Sequence, residues 1–269
     1  MSNYKVPVKD FLFLFNDVLD MQAKYQNING GDQATPDMLE AIFTEAARFS
    51  ENELAPLYQS GDEGCSWNDG VVTTPKGFKE AYKTFIEGGW TTLTGSEDMG
   101  GQYLPSSISL AVTEMFTTAN WAWAMYPGLS EGAIATLEDH GTDAQKKDYL
   151  TKLVSGVWSG TMCLTEPHCG TDLGQMKTKA TPNASGSYSV NGTKIFISAG
   201  EHDLTENIVH IVLAKLPDAP KGTKGLSLFI IPKFLPASDG TLGDRNGVEM
   251  WLHRAQNGYP RKWNRRTEF

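Results

Sequence analysis

The order of patterns along the chain predicts an α+β protein, with an N-terminal all-α helical domain followed by a β-barrel or sandwich middle domain. Three observations carry this expectation. Apolar residues recur at helical spacing through most of the first 155 residues. Alternating, β-branched runs replace them after Trp158. The two kinds of pattern do not interleave, which argues for separate α and β domains and not for βαβ units.

Residues 5–25 read as an amphipathic helix, with Phe11, Leu14, Phe15, Val18, Leu19 and Met21 near helical spacing. A polar stretch at 27–35 separates it from a helix opened by Thr35-Pro36 and running over 36–60, because proline is tolerated in a first turn. Further helices are expected over 75–88, with Thr74 as N-cap, and over 105–125, 127–141 and 142–155. Trp121 and Trp123 lie in an aromatic-rich helical stretch and are expected in the core. Gly88-Gly89-Trp90 ends one helix, and 93–104 is glycine-rich and irregular. Strands are expected over 158–164, 174–181, 186–191, 193–198, 207–216 and 225–231, with a loop at 216–225. Asn191-Gly192 predicts a hairpin, since both residues tolerate positive φ.

Bulk properties narrow the function. The chain has 269 residues, 40% of them hydrophobic, enough for one large domain or two medium ones with proper cores. Its net charge of -9 and pI near 5.1 disfavour nucleic-acid binding, which needs clustered Lys and Arg. Three cysteines, Cys65, Cys163 and Cys169, suit a reducing compartment and predict a cytoplasmic protein without a metal site. The apolar run FLFLF lies between Asp10 and Asp17; it is too short to span a membrane and lacks a signal-peptide cleavage site. Residues 250–269 depart from the rest: five basic residues (Arg254, Arg261, Lys262, Arg265, Arg266) face one acid, Glu268, and no periodicity buries Trp251 or Trp263.

The chemically informative segment is Met162-Cys163-Leu164-Thr165-Glu166-Pro167-His168-Cys169-Gly170-Thr171-Asp172. A strand runs into a turn permitted by Pro167 and Gly170, which frees backbone N–H groups and the Thr165 and Thr171 hydroxyls as donors. A ligand rich in carbonyls, ring nitrogens and phosphates would suit them; an ordinary strand–loop with local hydrogen bonds fits the spacing as well. Glu97, Asp98 and Glu114 are candidate acid/base groups, but solvated faces or caps explain them at least as well. No nucleophile elbow, P-loop or G-x-G-x-x-G run is present.

T-E-P-x-x-G-T-D after an apolar strand resembles the flavin-binding signature of acyl-CoA dehydrogenases. Other segments agree in order: Gly89-Trp90 with Glu97-Asp98-Met99-Gly100-Gly101, then His140-Gly141-Thr142, Gln145-Lys146 and Tyr149-Leu150, then Val190-Asn191-Gly192-Thr193-Lys194-Ile195-Phe196-Ile197-Ser198. The similarity runs from about residue 36 to about 249, and the N-terminal extension resembles the long bacterial branch that includes methylmercaptopropionyl-CoA dehydrogenases. It implies an N-terminal extension at 1–35, an α domain at 36–157, a middle β domain at 158–249 and a non-native, disordered basic tail at 250–269.

The resemblance also implies FAD as cofactor and an acyl-CoA as substrate. Met162, Leu164 and Thr165 would line the flavin ring, with Thr165 bonding its pyrimidine edge. Gly170 and Thr171 would approach the diphosphate, and Thr171 also the acyl-CoA. Phe196 would pack on the ring, Ile197 would line the site, and Ser198 would bond near N5. Met162 and Phe196 stand where many relatives carry an aromatic and a tryptophan, and His168-Cys169 replaces a pair of small residues. Family members remove an α proton with a carboxylate while the β hydrogen leaves as hydride to the flavin. Electrons then pass to an electron-transfer flavoprotein or similar acceptor, and the full-length enzyme is a homo-oligomer. The base belongs to a C-terminal helical bundle that no pattern after residue 249 matches. Common codons for Arg254 to Tyr259, read across the preceding His253 codon in a shifted frame, yield Ile-Glu-His-Lys-Met-Gly-Ile, a family-like run, so a frameshift near Glu249, a truncated middle domain and an inactive chain are expected. A non-catalytic interaction protein and an acyl-CoA oxidase are the alternative readings.

Overall fold

In the computed structural model, which describes residues 4–237, 239–252 and 265–268, the expected helix over 5–25 is broken into α1 (Val8–Phe13), a π turn at Leu14–Val18 and α2 (Met21–Tyr25). The π turn closes through Leu19 N–H to the Leu14 carbonyl at 2.9 Å. Its extra residue rotates the next turn of helix off the apolar stripe. Phe15 is therefore buried, edge-on to Phe43 with centroids 5.0 Å apart, while Leu14, Val18 and Leu19 are exposed.

Contacts divide the chain into two compact units: Met1–Ser66 with Thr74–Gly128 and Leu150–Val157, and Trp67–Thr73 with Leu129–Tyr149 and Trp158–Phe269. In the first unit, α3 (Pro36–Phe49) starts where the Thr35 hydroxyl accepts the Met38 N–H at 3.3 Å, and it buries Leu39, Phe43, Ala46 and Phe49. A π turn at Ser50–Leu54 and a 3₁₀ turn at Ala55–Leu57 come next, then α4 (Tyr58–Glu63), so the single helix expected over 36–60 is four pieces. The chain then passes through β1 (Ser66–Asn68) and β2 (Val71–Thr73), of which Trp67–Thr73 group with the second unit, and returns to the first as α5 (Phe78–Glu87) and α6 (Ser106–Ala119). Phe49, Phe85, Phe116 and Trp123 form the aromatic centre of this unit, with Phe85 and Trp123 edge-on at 5.2 Å.

Asn120 separates α6 from α7 (Trp121–His140), which absorbs Pro127 into its interior instead of starting there. Trp121 and Trp123 are two positions apart on a helix, about 200° around it. Only one can face the core: Trp123 is fully buried and Trp121 is 65% exposed, contrary to the expectation for both. α8 (Asp143–Gln145) opens with a capping box between Thr142 and Gln145, and a π turn at Lys146–Leu150 leads into α9 (Thr151–Val154).

The second unit is built on β3 (Trp158–Cys163), β4 (Lys179–Pro182), β5 (Tyr188–Asn191), β6 (Thr193–Ile195), β7 (Asn207–Lys215) and β8 (Leu226–Pro232). β7 runs parallel to β3 and antiparallel to β8, with β4 meeting it at Lys215 and β5 pairing with β4. Its near-continuous apolar run fits a strand covered on both faces. β9 (Phe234–Pro236) pairs with β10 (Leu242–Arg245). β11 (Glu249–Leu252) pairs with β12 (Arg265–Glu268), which pairs in turn with β6. The expectation of disorder over 250–269 is thus corrected at Met250–Leu252 and Arg265–Glu268, where ladder pairing supplies the backbone partners; Arg254, Arg261, Lys262 and Trp263 lie outside the described residues.

The hairpin expected at Asn191-Gly192 is also corrected. β5 and β6 belong to different sheets, and neither residue has positive φ. Gly192 is needed for space: a Cβ there would lie 2.2 Å from the Thr178 hydroxyl. The true hairpin joins β4 to β5, closed by Asn183 N–H to the Ser187 carbonyl at 2.8 Å, with Gly186 at φ +84.

Candidate active site

β3 leads directly into the motif loop. Cys163 is fully buried against Ile197, Val212, Ile231 and Val248, while Met162, Leu164 and Thr165 are partly exposed. A tight turn comes next, in which Glu166 and Cys169 exchange backbone hydrogen bonds of 2.8 and 3.1 Å around Pro167 and His168. Gly170 lies against the Thr165 side chain, 3.3 Å from where its own Cβ would be. Thr171 is exposed beyond it.

The loop is fastened to β6 and the segment after it. The Thr165 carbonyl accepts the Ile195 N–H at 2.8 Å. Lys194 is fully buried, and its ammonium donates to the Leu164 carbonyl at 3.1 Å, Glu166 Oε1 at 3.0 Å and Met176 Sδ at 3.2 Å. Glu166 also accepts the Lys177 and Thr178 N–H groups at 2.7 and 3.0 Å and the Thr178 hydroxyl. Burial pushes the Glu166 carboxyl up, but the bonds from Thr178, the two amides and Lys194 outweigh it, so its pKa lies below the ordinary carboxylate value. Glu166 is therefore an ionised, fully engaged anchor and not an available base. Burial draws the Lys194 pKa down against the opposing charge of Glu166.

Beside this anchor the backbone is strained. Phe196 has φ +58 and Ala199 φ +52, values that bulky and β-carbon-bearing residues seldom adopt. The Phe196 side chain is 60% exposed. Ile197 turns inward into the core, so only its backbone can meet a ligand, and Ser198 is exposed. The Thr165 carbonyl is thus tied to Ile195, the residue that precedes the exposed Phe196.

The Thr165, Thr171 and Ser198 hydroxyls and the Gly170 and Thr171 amides bond to no described residue. A donor set of this kind suits a planar ligand that carries ring acceptors and a phosphate. Flavin adenine dinucleotide has both.

Other titratable groups here are structural. Burial pushes the Cys163 thiol up to about 12 and, with Lys233 adding to it, pulls His210 down to about 3. Both are neutral near pH 7 and meet around the Thr161 hydroxyl, 2.7 Å from His210 Nδ1. Glu166, His168 and Cys169 place ligand atoms within 4.8 Å of one another. A metal there would face the Lys194 ammonium and compete for a carboxylate whose oxygens are already taken, so the donor set does not suit one.

Sequence reasoning overlooked Lys194 and Thr178 as members of the site. A lysine inside the apolar run TKIFIS was the available signal, because a buried ammonium requires an acceptor.

Two family models match: the acyl-CoA dehydrogenase N-terminal domain over residues 36–157 and the acyl-CoA dehydrogenase middle domain over residues 161–260. The 3-methylmercaptopropionyl-CoA dehydrogenase of Ruegeria pomeroyi is 43% identical over 244 residues, covering 90% of this chain and 41% of that protein. A butyryl-CoA dehydrogenase of Syntrophomonas wolfei is 34% identical over 252 residues, with 92% and 41% covered. Among solved structures, butyryl-CoA dehydrogenase from Megasphaera elsdenii superimposes with a TM-score of 0.65 at 23% identity, covering 87% of this chain and 55% of that one. The chain therefore spans about two fifths of the length of these curated relatives. Among the described residues, no helix is long and apolar enough to cross a membrane.

Proposed function

The chain belongs to the acyl-CoA dehydrogenase family, and from that premise we propose that it forms the flavin-facing part of an enzyme that oxidises the Cα–Cβ bond of an acyl-CoA thioester to the 2-enoyl-CoA. The observation that carries this reading is that the donors at Thr165, Gly170 and Thr171 bond to no described residue and lie on a loop tied through the Thr165 carbonyl to Ile195, next to the exposed Phe196. Met162 and Leu164 would offer apolar contact to the ring, Thr165 a donor to its polar edge, and Ser198 and the Ile197 backbone a second polar contact. Gly170 and Thr171 would hold the diphosphate, Thr171 also facing the acyl-CoA. FAD, when bound, supplies the electron sink. The chain's own groups bind and orient it; Glu166, engaged by four donor groups, takes no proton.

The reading includes a homo-oligomer that passes electrons to an electron-transfer flavoprotein or similar acceptor in the cytoplasm. Its domain limits are 36–157 and 158–249.

Titration of the 269-residue chain with FAD tests the proposal. Saturable quenching of flavin fluorescence, lost when riboflavin replaces FAD, is the expected outcome. A folded chain that produces no quenching would overturn it.

A further inference from the structure

We propose that Lys194 is a positioning residue that fixes the orientation of Thr165 by holding the residues on both sides of it; the inference rests on the flavin reading above. One ammonium donates to the Leu164 carbonyl, immediately before Thr165, and to the Glu166 carboxylate, immediately after it. The Thr165 carbonyl accepts from Ile195, the residue next to Lys194. Thr165 is thereby tied on three sides to a single pair of residues in β6. The third N–H of the ammonium points to Met176 Sδ, which leaves Lys194 no freedom to turn away.

The far side of the tether is also braced. Thr178 donates to Glu166 through both its amide and its hydroxyl, and Gly192 packs so closely on Thr178 that a methyl group would collide with it. The corner between β5 and β6 therefore backs the carboxylate that the ammonium grips. Stability alone does not require this arrangement. Replacing a buried ion pair by apolar residues of similar volume is often neutral or favourable. What an apolar pair lacks is direction: three N–H vectors set three acceptors, and two of them bracket the residue that would meet the ligand.

Two variants of the full chain test the proposal, Lys194→Met and Lys194→Met/Glu166→Gln; the second removes the carboxylate charge that the first leaves without its counter-ion and keeps an acceptor for the Thr178 and Lys177 donors. Without ligand, exchange of the Ile195 amide hydrogen should accelerate at least about tenfold, as expected when charge-assisted bonds are lost. The amides of the β7–β8 ladder should keep their protection. With FAD, binding should weaken at least about tenfold, and Thr165→Val should then cost much less than in the parent chain, since coupled residues are not additive. Unchanged Ile195 protection, or a Thr165→Val effect of equal size in both backgrounds, overturns the assignment. So does failure of both variants to fold, because the ammonium would then support the domain and not one loop. A parent chain that takes up no FAD sinks the flavin reading instead, and Ile195 exchange decides the tether by itself.

Discussion

The Thr165 hydroxyl bonds to no described residue, although its backbone is fixed through Ile195. Thr165→Val keeps the shape and removes the donor. Under the flavin reading, FAD affinity should fall by about 0.5–1.5 kcal/mol while the melting temperature stays the same; equal affinities in a fluorescence titration would remove Thr165 from the site. His210 makes a different prediction. Its ordinary pKa of 6.5 applies to the unfolded chain, and burial lowers it to about 3 in the folded one. As pH falls, the unfolded state takes the proton first. The stabilisation is whole above about 6.5 and is lost towards about 3, at a slope of up to about 1.4 kcal/mol per pH unit. Glu166, also shifted down, adds to the loss in the same direction at the lower end. Denaturant midpoints measured across that window should fall with pH, and a flat profile would contradict a neutral, buried His210.

Among the elements, the joint between α6 and α7 depends on one side chain. Asn120 is buried; its Oδ1 accepts the Trp123 N–H at 3.0 Å and its Nδ2 donates to the Leu54 carbonyl at 3.1 Å. Asn120→Ala removes the cap and leaves a buried carbonyl unpaired, which should cost about 2–4 kcal/mol. Asn120→Ser, which keeps a capping acceptor without adding a buried charge, should cost less, and equal denaturant midpoints for the two would argue against the cap. The same joint shows what the sequence reveals. Periodicity located helices on both sides of it, and strand composition located β3, β7 and β8 within a residue or two. The motif loop was legible because its residues are local. What stayed hidden depends on partners far along the chain. Asn120 was unreadable because Leu54 is its partner, Gly192 because Thr178 sets its role, and the Glu166–Lys194 pair because it closes 28 residues apart. The π turns were hidden for the opposite reason: one inserted residue shifts a stripe without leaving a compositional mark.

At the scale of the whole molecule, the chain crosses repeatedly between the two units, and residues 129–149 group with the strands after Trp158. Within that unit the Ser130 hydroxyl accepts the Gly160 N–H at 2.9 Å, and the Tyr149 ring meets Trp158 with centroids 6.3 Å apart. A fragment covering 158–269 should therefore melt below one covering 129–269, and identical melting curves would refute the grouping. The buried lysine also has a consequence in time. Bringing Lys194 to Glu166 strips an ammonium of its water, a step that is favourable only once the acceptors are already in place. The contact should form after the rate-limiting barrier, so Lys194→Met/Glu166→Gln should leave the folding rate nearly unchanged and alter mainly the unfolding rate. How long the loop stays seated would then be set by a contact that plays no part in how fast the domain assembles.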